Sequence, residues 1–181
     1  MDAIVYPRES SVEGFTLANL WGYEFTPYFD GVPEKEIEEH DKYNLLQITG
    51  MAQTAVDWTG GSRIDKTFGK SLNLRYVMEF VAELHQPMHN ILRFSDSHPD
   101  GDKFGKLHKI SYEDFDNLFD LFEDAFGQYR SLVYPLSSDT QLNKYIDDIM
   151  EQYPKEELKD QIEDEDKSSW SKESYDIGKE F

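Results

Sequence analysis

The sequence contains no cysteine among its 181 residues. This absence excludes disulfides and thiolate zinc sites, and it leaves His, Asp and Glu as the plausible metal ligands. Histidine is itself scarce, with five in the whole chain. Any metal site must therefore combine few imidazoles with several carboxylates.

Basic residues are few compared with acidic ones. The chain has 18 Lys and Arg against 37 Asp and Glu, which gives a formal net charge of −19 at pH 7. A field of this sign repels phosphate backbones and anionic lipid surfaces. Much of the acid lies in two segments, Ser111–Gly127 and Lys155–Lys167. These segments are interpreted either as solvated helix faces or as docking surfaces for a basic partner.

Long apolar runs are also missing. No segment is long enough to span a membrane, and the first residues, MDAIVYPRESS, lack the basic start and apolar stretch of a signal peptide. We therefore expect an intracellular or organellar chain, or a secreted one if an earlier segment has been processed. With 38% hydrophobic and 14% aromatic residues, residues 1–181 are predicted to fold as a single domain.

Helical periodicity dominates the chain after about residue 34, and β alternation of useful length is absent. The pattern predicts an all-α array of about five to six helices. A central helix is predicted from Ser71, a good N-cap, to Gln86, just before the helix-breaking Pro87. Ser111 is predicted to cap a later, aromatic helix. The expected core residues are Trp58, Val77, Phe80, Val81, Leu84, Phe119 and Phe122.

Candidate metal ligands cluster in the stretch VMEFVAELHQPMHN. Glu79 and Glu83 lie four residues apart, so on a helix they point the same way and could share one cation or bind two neighbouring ones. Calcium or magnesium would suit such a carboxylate pair. The two glutamates lie opposite the apolar stripe, which equally fits a solvated face. Because His89 follows Pro87, the chain can turn back and aim its imidazole at the same cleft.

A second imidazole comes from the segment GKLHKI, which contains His108. One loop, from Ile91 to Lys106, separates this segment from His89. The loop is long enough to bring both imidazoles to one ion. Two imidazoles without a third protein ligand bind zinc weakly, because catalytic zinc sites use three.

The block LRYVMEFVAELHQPMHN resembles the signature helix of the zinc-dependent, single-strand-specific nucleases of the S-one/P-one type, which are related to bacterial zinc phospholipases C. The family pattern there runs roughly L-x-F-L-x-H-F-x-G-D-x-H-Q-P-L-H. Less specific likenesses follow in the family's order. LWGYEFTPYF is similar to a W-H-Y segment, GKLHKISYED to N-L-H-x-x-W-D, and WSKES to W-x-x-E-S.

The resemblance implies a helical fold of the phospholipase C/P-one nuclease kind and a trinuclear zinc site that cleaves phosphodiesters and 3′-phosphomonoesters. By this resemblance His89 and His108 are retained ligands. Glu79 stands where the family has the helix histidine, and Glu83 where it has the bridging aspartate. Glu113 would serve as a further ligand if the register of its loop shifts by one residue.

Other family ligands have no counterpart. Gly22 stands at the W-H-Y histidine, Arg8 near the early aspartate, and the terminal tryptophan and the C-terminal helices are missing. At most one zinc is therefore expected. The leading interpretation is a degenerate, inactive relative that serves as a structural or binding subunit of a larger assembly with protein partners. The alternatives are an active zinc-dependent endonuclease or 3′-nucleotidase with fewer metals, which would bind nucleic acid, and an acidic helical adaptor with an accidental likeness.

Overall fold

The computed structural model describes residues 21–37, 44–57, 66–130 and 139–181. These ranges contain seven α-helices, four short strands and one 3-10 turn, Ala125–Gly127. The helices are α1 Leu45–Asp57, α2 Lys66–Leu84, α3 Pro87–Asn90, α4 Leu118–Glu123, α5 Asp139–Gln152, α6 Lys159–Glu163 and α7 Lys167–Gly178. The strands are β1 Pro27–Phe29, β2 Leu92–Phe94, β3 Lys109–Tyr112 and β4 Phe115–Asn117. None of these helices has the length and apolar character needed to cross a membrane.

The fold is mostly helical, but the expectation of a purely all-α chain is wrong. Strand β1 pairs in parallel with β2, and β3 pairs antiparallel with β4, so that two small sheets form. Each strand has only three or four residues. A strand this short gives too few alternating positions for a period of two to be read from the sequence.

Helices α1 and α2 form the first core. Its buried members are Leu45, Ile48, Ala52, Phe80 and Leu84. The predicted burial of Phe80 and Leu84 is therefore confirmed, whereas Val77 and Val81 are only partly buried. Helix α2 begins at Lys66, five residues before the predicted Ser71. The predicted core residue Trp58 lies outside the described residues.

The helix is interrupted before Pro87 as predicted, and Asn90 stabilises the interruption. Helix α2 ends at Leu84, and Pro87 takes the first position of the single-turn helix α3, where its missing N–H costs nothing. The buried Asn90 amide donates to the carbonyls of Glu83, Leu84 and Gln86 at 2.8–3.1 Å. The carbonyls of Glu83 and Leu84 belong to the open end of α2, so Asn90 ties the short helix α3, which contains His89, to that end.

The second core lies on the other side of Pro87. Its buried members are Tyr23, Met88, Ile91, Phe104, Phe115, Leu118, Phe119 and Leu121. The predicted burial of Phe119 is confirmed, and Phe122 is partly buried against this core.

The helix expected to start at Ser111 begins later. Residues around Ser111 form the β3–β4 hairpin instead, and Glu113 in its turn adopts a φ of 47°. Helix α4 starts only at Leu118, where the Asn117 side chain accepts from the Asp120 N–H at 2.9 Å. Asn117 is thus the actual cap, and the aromatic residues before it belong to a strand.

Candidate functional site

The structure brings together one histidine and two glutamates from three elements. Glu83 lies in the last turn of α2, His89 in α3, and Glu123 ends α4. One ligand atom from each of these side chains lies within 4.8 Å of the others. In the part of the chain that the structure describes, this is the one group of three such side chains close enough to hold a metal ion.

His89 is fully buried, at 0% exposure, and both of its ring nitrogens meet oxygens. Nε2 donates to Glu123 Oε1 at 2.7 Å. Nδ1 donates to the Gly22 carbonyl oxygen at 2.5 Å and also contacts Glu83 Oε2 as an ion pair. The imidazole therefore lies between two carboxylates, one at each nitrogen. We call Glu83, His89 and Glu123 the Glu–His–Glu clamp.

The surroundings of His89 favour its charged form. Burial alone lowers the pKa of an imidazole, because the cation loses its hydration. The hydrogen bonds and negative charges of Glu123 and Glu83 outweigh this effect and raise the pKa of His89 above its usual value. The two carboxylates thus favour a proton on each ring nitrogen of His89.

Aromatic rings enclose the imidazole. Tyr23 stacks on it with ring centroids 5.0 Å apart and planes 2° from parallel, and Phe119 lies at 5.4 Å. The Lys106 ammonium donates to the Tyr23 hydroxyl at 3.0 Å and sits 4.2 Å from the centre of the Phe119 ring. These contacts bury His89 and leave Glu123, whose side chain is 26% exposed, as the clamp member nearest to solvent.

The clamp could hold a metal ion. The two nitrogens of one imidazole point in different directions, so both cannot bind the same ion. Glu83 lies at Nδ1 and Glu123 at Nε2. An ion bound through Nε2 would have Glu123 beside it, with the Nδ1–H donated to Gly22 in the manner that fixes metal-bound histidines. These residues do not fit a centre of three zincs.

His108 does not join the clamp. Its Nδ1 accepts from Arg93 Nη1 at 3.2 Å, and the Arg93 Nε donates to Asp30 at 3.1 Å. These three side chains line a separate polar cleft of about 440 Å³. The structure does not bring the expected His89–His108 ligand pair together, because the polar contacts of the two imidazoles are with different groups.

Of the other predicted ligands, one lies in the clamp and two lie outside it. Glu83 does reach His89, and it is buried rather than on a solvated face. Glu79 is half-buried on α2 and falls outside the group of three. Glu113 is exposed in the β3–β4 turn and falls outside it as well. The carboxylate that completes the clamp, Glu123, was not among the predicted ligands.

A signal for Glu123 was present in the sequence. The segment NLFDLFE, Asn117–Glu123, follows the spacing of the N-L-H-x-x-W-D pattern from its first residue to its last. Phe119 stands at the histidine position of that pattern, Phe122 at the tryptophan and Glu123 at the aspartate. When the pattern is placed on the histidine of GKLHKI, its aspartate position falls on Tyr112, eleven residues before Glu123.

Comparison with known proteins adds no relative. No protein-family model matches this chain, and neither curated proteins nor solved structures give a significant match. The geometry of the described residues is therefore the basis on which a function is proposed.

Proposed function

We propose that this chain is a non-catalytic helical protein that serves as a structural or binding subunit of a larger assembly, and that it is a degenerate relative of the zinc nucleases that it resembles. The observation that carries the proposal is the closed state of His89. Both ring nitrogens are engaged by protein oxygens, and the ring is fully buried. A catalytic zinc needs protein ligands and an open position for water. His89 has no free nitrogen to offer a zinc ion without rearrangement.

The replacement of ligands by other side chains supports the same proposal. Phe119 packs against His89 where the N-L-H pattern has a second imidazole. Gly22 contributes only its backbone carbonyl where the W-H-Y pattern has a histidine. Each substitution keeps the packing or the hydrogen bond and removes a metal ligand. Nuclease chemistry needs metals that lower the pKa of a bound water and neutralise the phosphate, and this donor set is too small for several ions.

A second function, a metal-dependent phosphodiester hydrolase with a reduced metal set, is favoured by one observation. Glu83, His89 and Glu123 offer three ligand atoms within 4.8 Å of one another. If the side chains rearranged, one zinc could be held there by one nitrogen and two oxygens, which is the ligand number of catalytic zinc sites. Bound zinc would supply a hydroxide for attack on a phosphodiester.

Two measurements on the full chain separate these functions. The first is elemental analysis of protein purified without chelator, for which we expect no bound zinc. The second is incubation with single-stranded DNA and added zinc at mildly acidic pH, for which we expect no cleavage. Stoichiometric zinc together with cleavage that disappears in His89→Ala would overturn the proposal and establish the hydrolase.

A gain-of-ligand variant serves as the positive control. Phe119→His places an imidazole one helical turn before Glu123 and beside His89, because positions four apart share a helix face. We expect this variant to bind one zinc ion in the same elemental analysis. Phe122→His, in the same helix but outside the Glu–His–Glu clamp, is the matched control and should bind none.

A further inference from the structure

The polar cleft that contains His108 is lined by charged groups of both signs. Its volume of about 440 Å³ lies in the range of small-molecule sites. The lining comes from residues that directly follow β1 and β2, from the loop between β2 and β3, and from the start of β3. We call it the Arg93 cleft, and its charged lining residues are Asp30, Arg93, Asp96, Asp102 and Lys109.

The Arg93 guanidinium has two donors to spare. Its Nε donates to Asp30 Oδ2 at 3.1 Å, and its Nη2 donates to the same oxygen. Its Nη1 donates to His108 Nδ1 at 3.2 Å. Since a guanidinium carries five N–H groups, two of them have no acceptor among the described residues, one on each terminal nitrogen. Two N–H groups on one planar edge match the two oxygens of a carboxylate.

His108 and Lys109 add further donors to the cleft lining. Because His108 Nδ1 accepts from Arg93, the ring proton of the neutral imidazole lies on Nε2. Within the part of the chain that the structure describes, this Nε2–H has no acceptor, and the Lys109 ammonium makes no hydrogen bond or ion pair. The cleft therefore has more donors than its own residues satisfy.

Two of the three aspartates are occupied by the protein itself. Asp102 is 5% exposed, and its two oxygens accept from the backbone N–H groups of Arg93 at 3.1 Å and Gly105 at 3.0 Å. Asp30 forms the ion pair with Arg93. Asp96 differs from both, because it is exposed and has no hydrogen bond or ion pair with any described residue. One carboxylate of the cleft thus remains unpaired beside the spare donors.

The wall of the cleft is held in place by strained backbone. Lys103 and Phe104 adopt positive φ values of 56° and 60°, which is costly for residues with a Cβ. Such strain persists where the surrounding structure fixes the conformation, and it is common at binding sites. Here the buried Asp102 joins this loop to the backbone of Arg93. A ligand would therefore meet a wall that is already ordered, which lowers the entropic cost of binding.

We propose that the Arg93 cleft binds a small zwitterion of the amino-acid type. The carboxylate of the ligand lies at the free edge of Arg93 and at His108 Nε2–H, and its ammonium lies at Asp96. Charge selects a zwitterion, because the net charge of −19 repels a simple anion, whereas Arg93 and Lys109 repel a simple cation. A zwitterion has no net charge and pairs with groups of both signs.

This inference goes beyond the proposed function and does not rest on it. No residue of the Glu–His–Glu clamp lines the Arg93 cleft. Metal content and DNA cleavage test the clamp, whereas the experiments below measure the binding of small molecules to the cleft. Either proposal can therefore fail while the other stands.

The first experiment compares three matched probes on the full chain. L-Alanine carries both charges, propionate is the same molecule without the ammonium, and ethylamine is the same molecule without the carboxylate. Binding is followed by NMR titration of the isotope-labelled protein. We expect L-alanine to saturate one site, with shifts at Arg93, Asp96 and His108. Its dissociation constant should be at least about tenfold lower than that of either other probe, because each of these lacks one charge-assisted contact.

The second experiment removes the guanidinium edge. Arg93→Lys keeps the positive charge but loses the paired N–H groups, so the dissociation constant of L-alanine should rise at least about tenfold. Arg130→Lys is the matched control, because Arg130 also pairs with two aspartates, Asp114 and Asp124, and does not line the cleft. This control should leave the dissociation constant within about twofold of the parent.

The third experiment removes the negative charge that faces the ammonium. Asp96→Asn should weaken the binding of L-alanine and leave the binding of propionate unchanged or tighter, because propionate has no ammonium to lose. Asp96 is exposed and makes no hydrogen bond or ion pair with a described residue, so this variant should fold like the parent. Asp100→Asn, also exposed but outside the cleft lining, is the control and should change neither affinity.

Several outcomes would overturn the proposal. Propionate that binds as tightly as L-alanine would make the cleft an anion site, and ethylamine that binds as tightly would make it a cation site. Shifts that do not saturate, or that lie outside the cleft, would remove the site. Equal losses in Arg93→Lys and Arg130→Lys would do the same. If circular dichroism shows Arg93→Lys to be unfolded, Asp96→Asn decides, and an unchanged affinity for L-alanine in that variant contradicts the proposal.

Discussion

Two histidines that look equally promising in the sequence occupy opposite environments in the structure. His89 is fully buried and lies between two carboxylates. His108 is only half-buried and accepts a hydrogen bond from the guanidinium of Arg93. The His89 ring is held by polar contacts at both nitrogens, whereas one polar contact, with Arg93, holds the His108 ring. The difference shows that spacing in a motif does not determine which groups surround an imidazole.

The largest expected effect is the loss of the buried His89 side chain. In His89→Ala, Glu83 and Glu123 lose their shared partner, and a buried cavity forms beside Tyr23 and Phe119. Breaking a buried ion pair by removing one member costs about 3–5 kcal/mol. We expect the free energy of unfolding at pH 6, measured in urea, to fall by about that amount. A loss below about 1 kcal/mol would show that the clamp contributes little to stability.

The pH dependence of stability should sharpen the contrast between the clamp and the apolar core. The pKa of His89 is raised in the folded protein, so the charged imidazole stabilises the fold fully below its unfolded pKa of about 6.5. This contribution is lost as the pH rises through the higher folded pKa. We expect urea denaturation between pH 6 and 9 to show a decline in stability that is absent in His89→Gln.

A core variant provides the control for that profile. Phe80 is 1% exposed and packs in the first core, which contains no residue of the Glu–His–Glu clamp. Phe80→Ala should cost about 3–5 kcal/mol at every pH and retain the decline of the parent. If Phe80→Ala removes the decline or His89→Gln keeps it, the titrating group is not His89.

What the sequence predicted correctly depended on local signals. The break at Pro87 follows from the chemistry of proline, and the burial of Phe80 and Leu84 follows from helical spacing. Glu123 was missed because its contact with His89 spans 34 residues, and because NLFDLFE, which has the spacing of the N-L-H-x-x-W-D pattern, lacks its histidine. The short strands were missed because three residues carry no readable period. Local rules thus predicted the helix break and part of the first core, whereas the meeting of Glu123 with His89 depends on tertiary contacts.

A smaller loss of stability is expected when His108 is removed. His108→Ala removes one acceptor from Arg93, whose guanidinium keeps its ion pair with Asp30. A single hydrogen bond at a partly exposed site contributes about 0.5–1.5 kcal/mol. We expect the free energy of unfolding to fall by about 1 kcal/mol or less, against about 3–5 kcal/mol for His89→Ala. Equal losses from the two variants would erase the distinction between the two histidines.

The smallest effect concerns Glu113, the residue once expected to supply a third ligand. Its φ of 47° lies in the left-handed region, which costs a residue with a Cβ about 1–2 kcal/mol. Glu113→Gly removes this strain, although glycine also loses more freedom on folding, so that a net gain of about 0.5–1 kcal/mol remains. We expect urea denaturation to show this gain. The same change made in the zinc-binding Phe119→His variant should leave its zinc affinity unchanged, because Glu113 lies outside the Glu–His–Glu clamp. A clear loss of zinc affinity would instead place Glu113 among the ligands, and would show that the hairpin turn approaches the clamp when metal is bound.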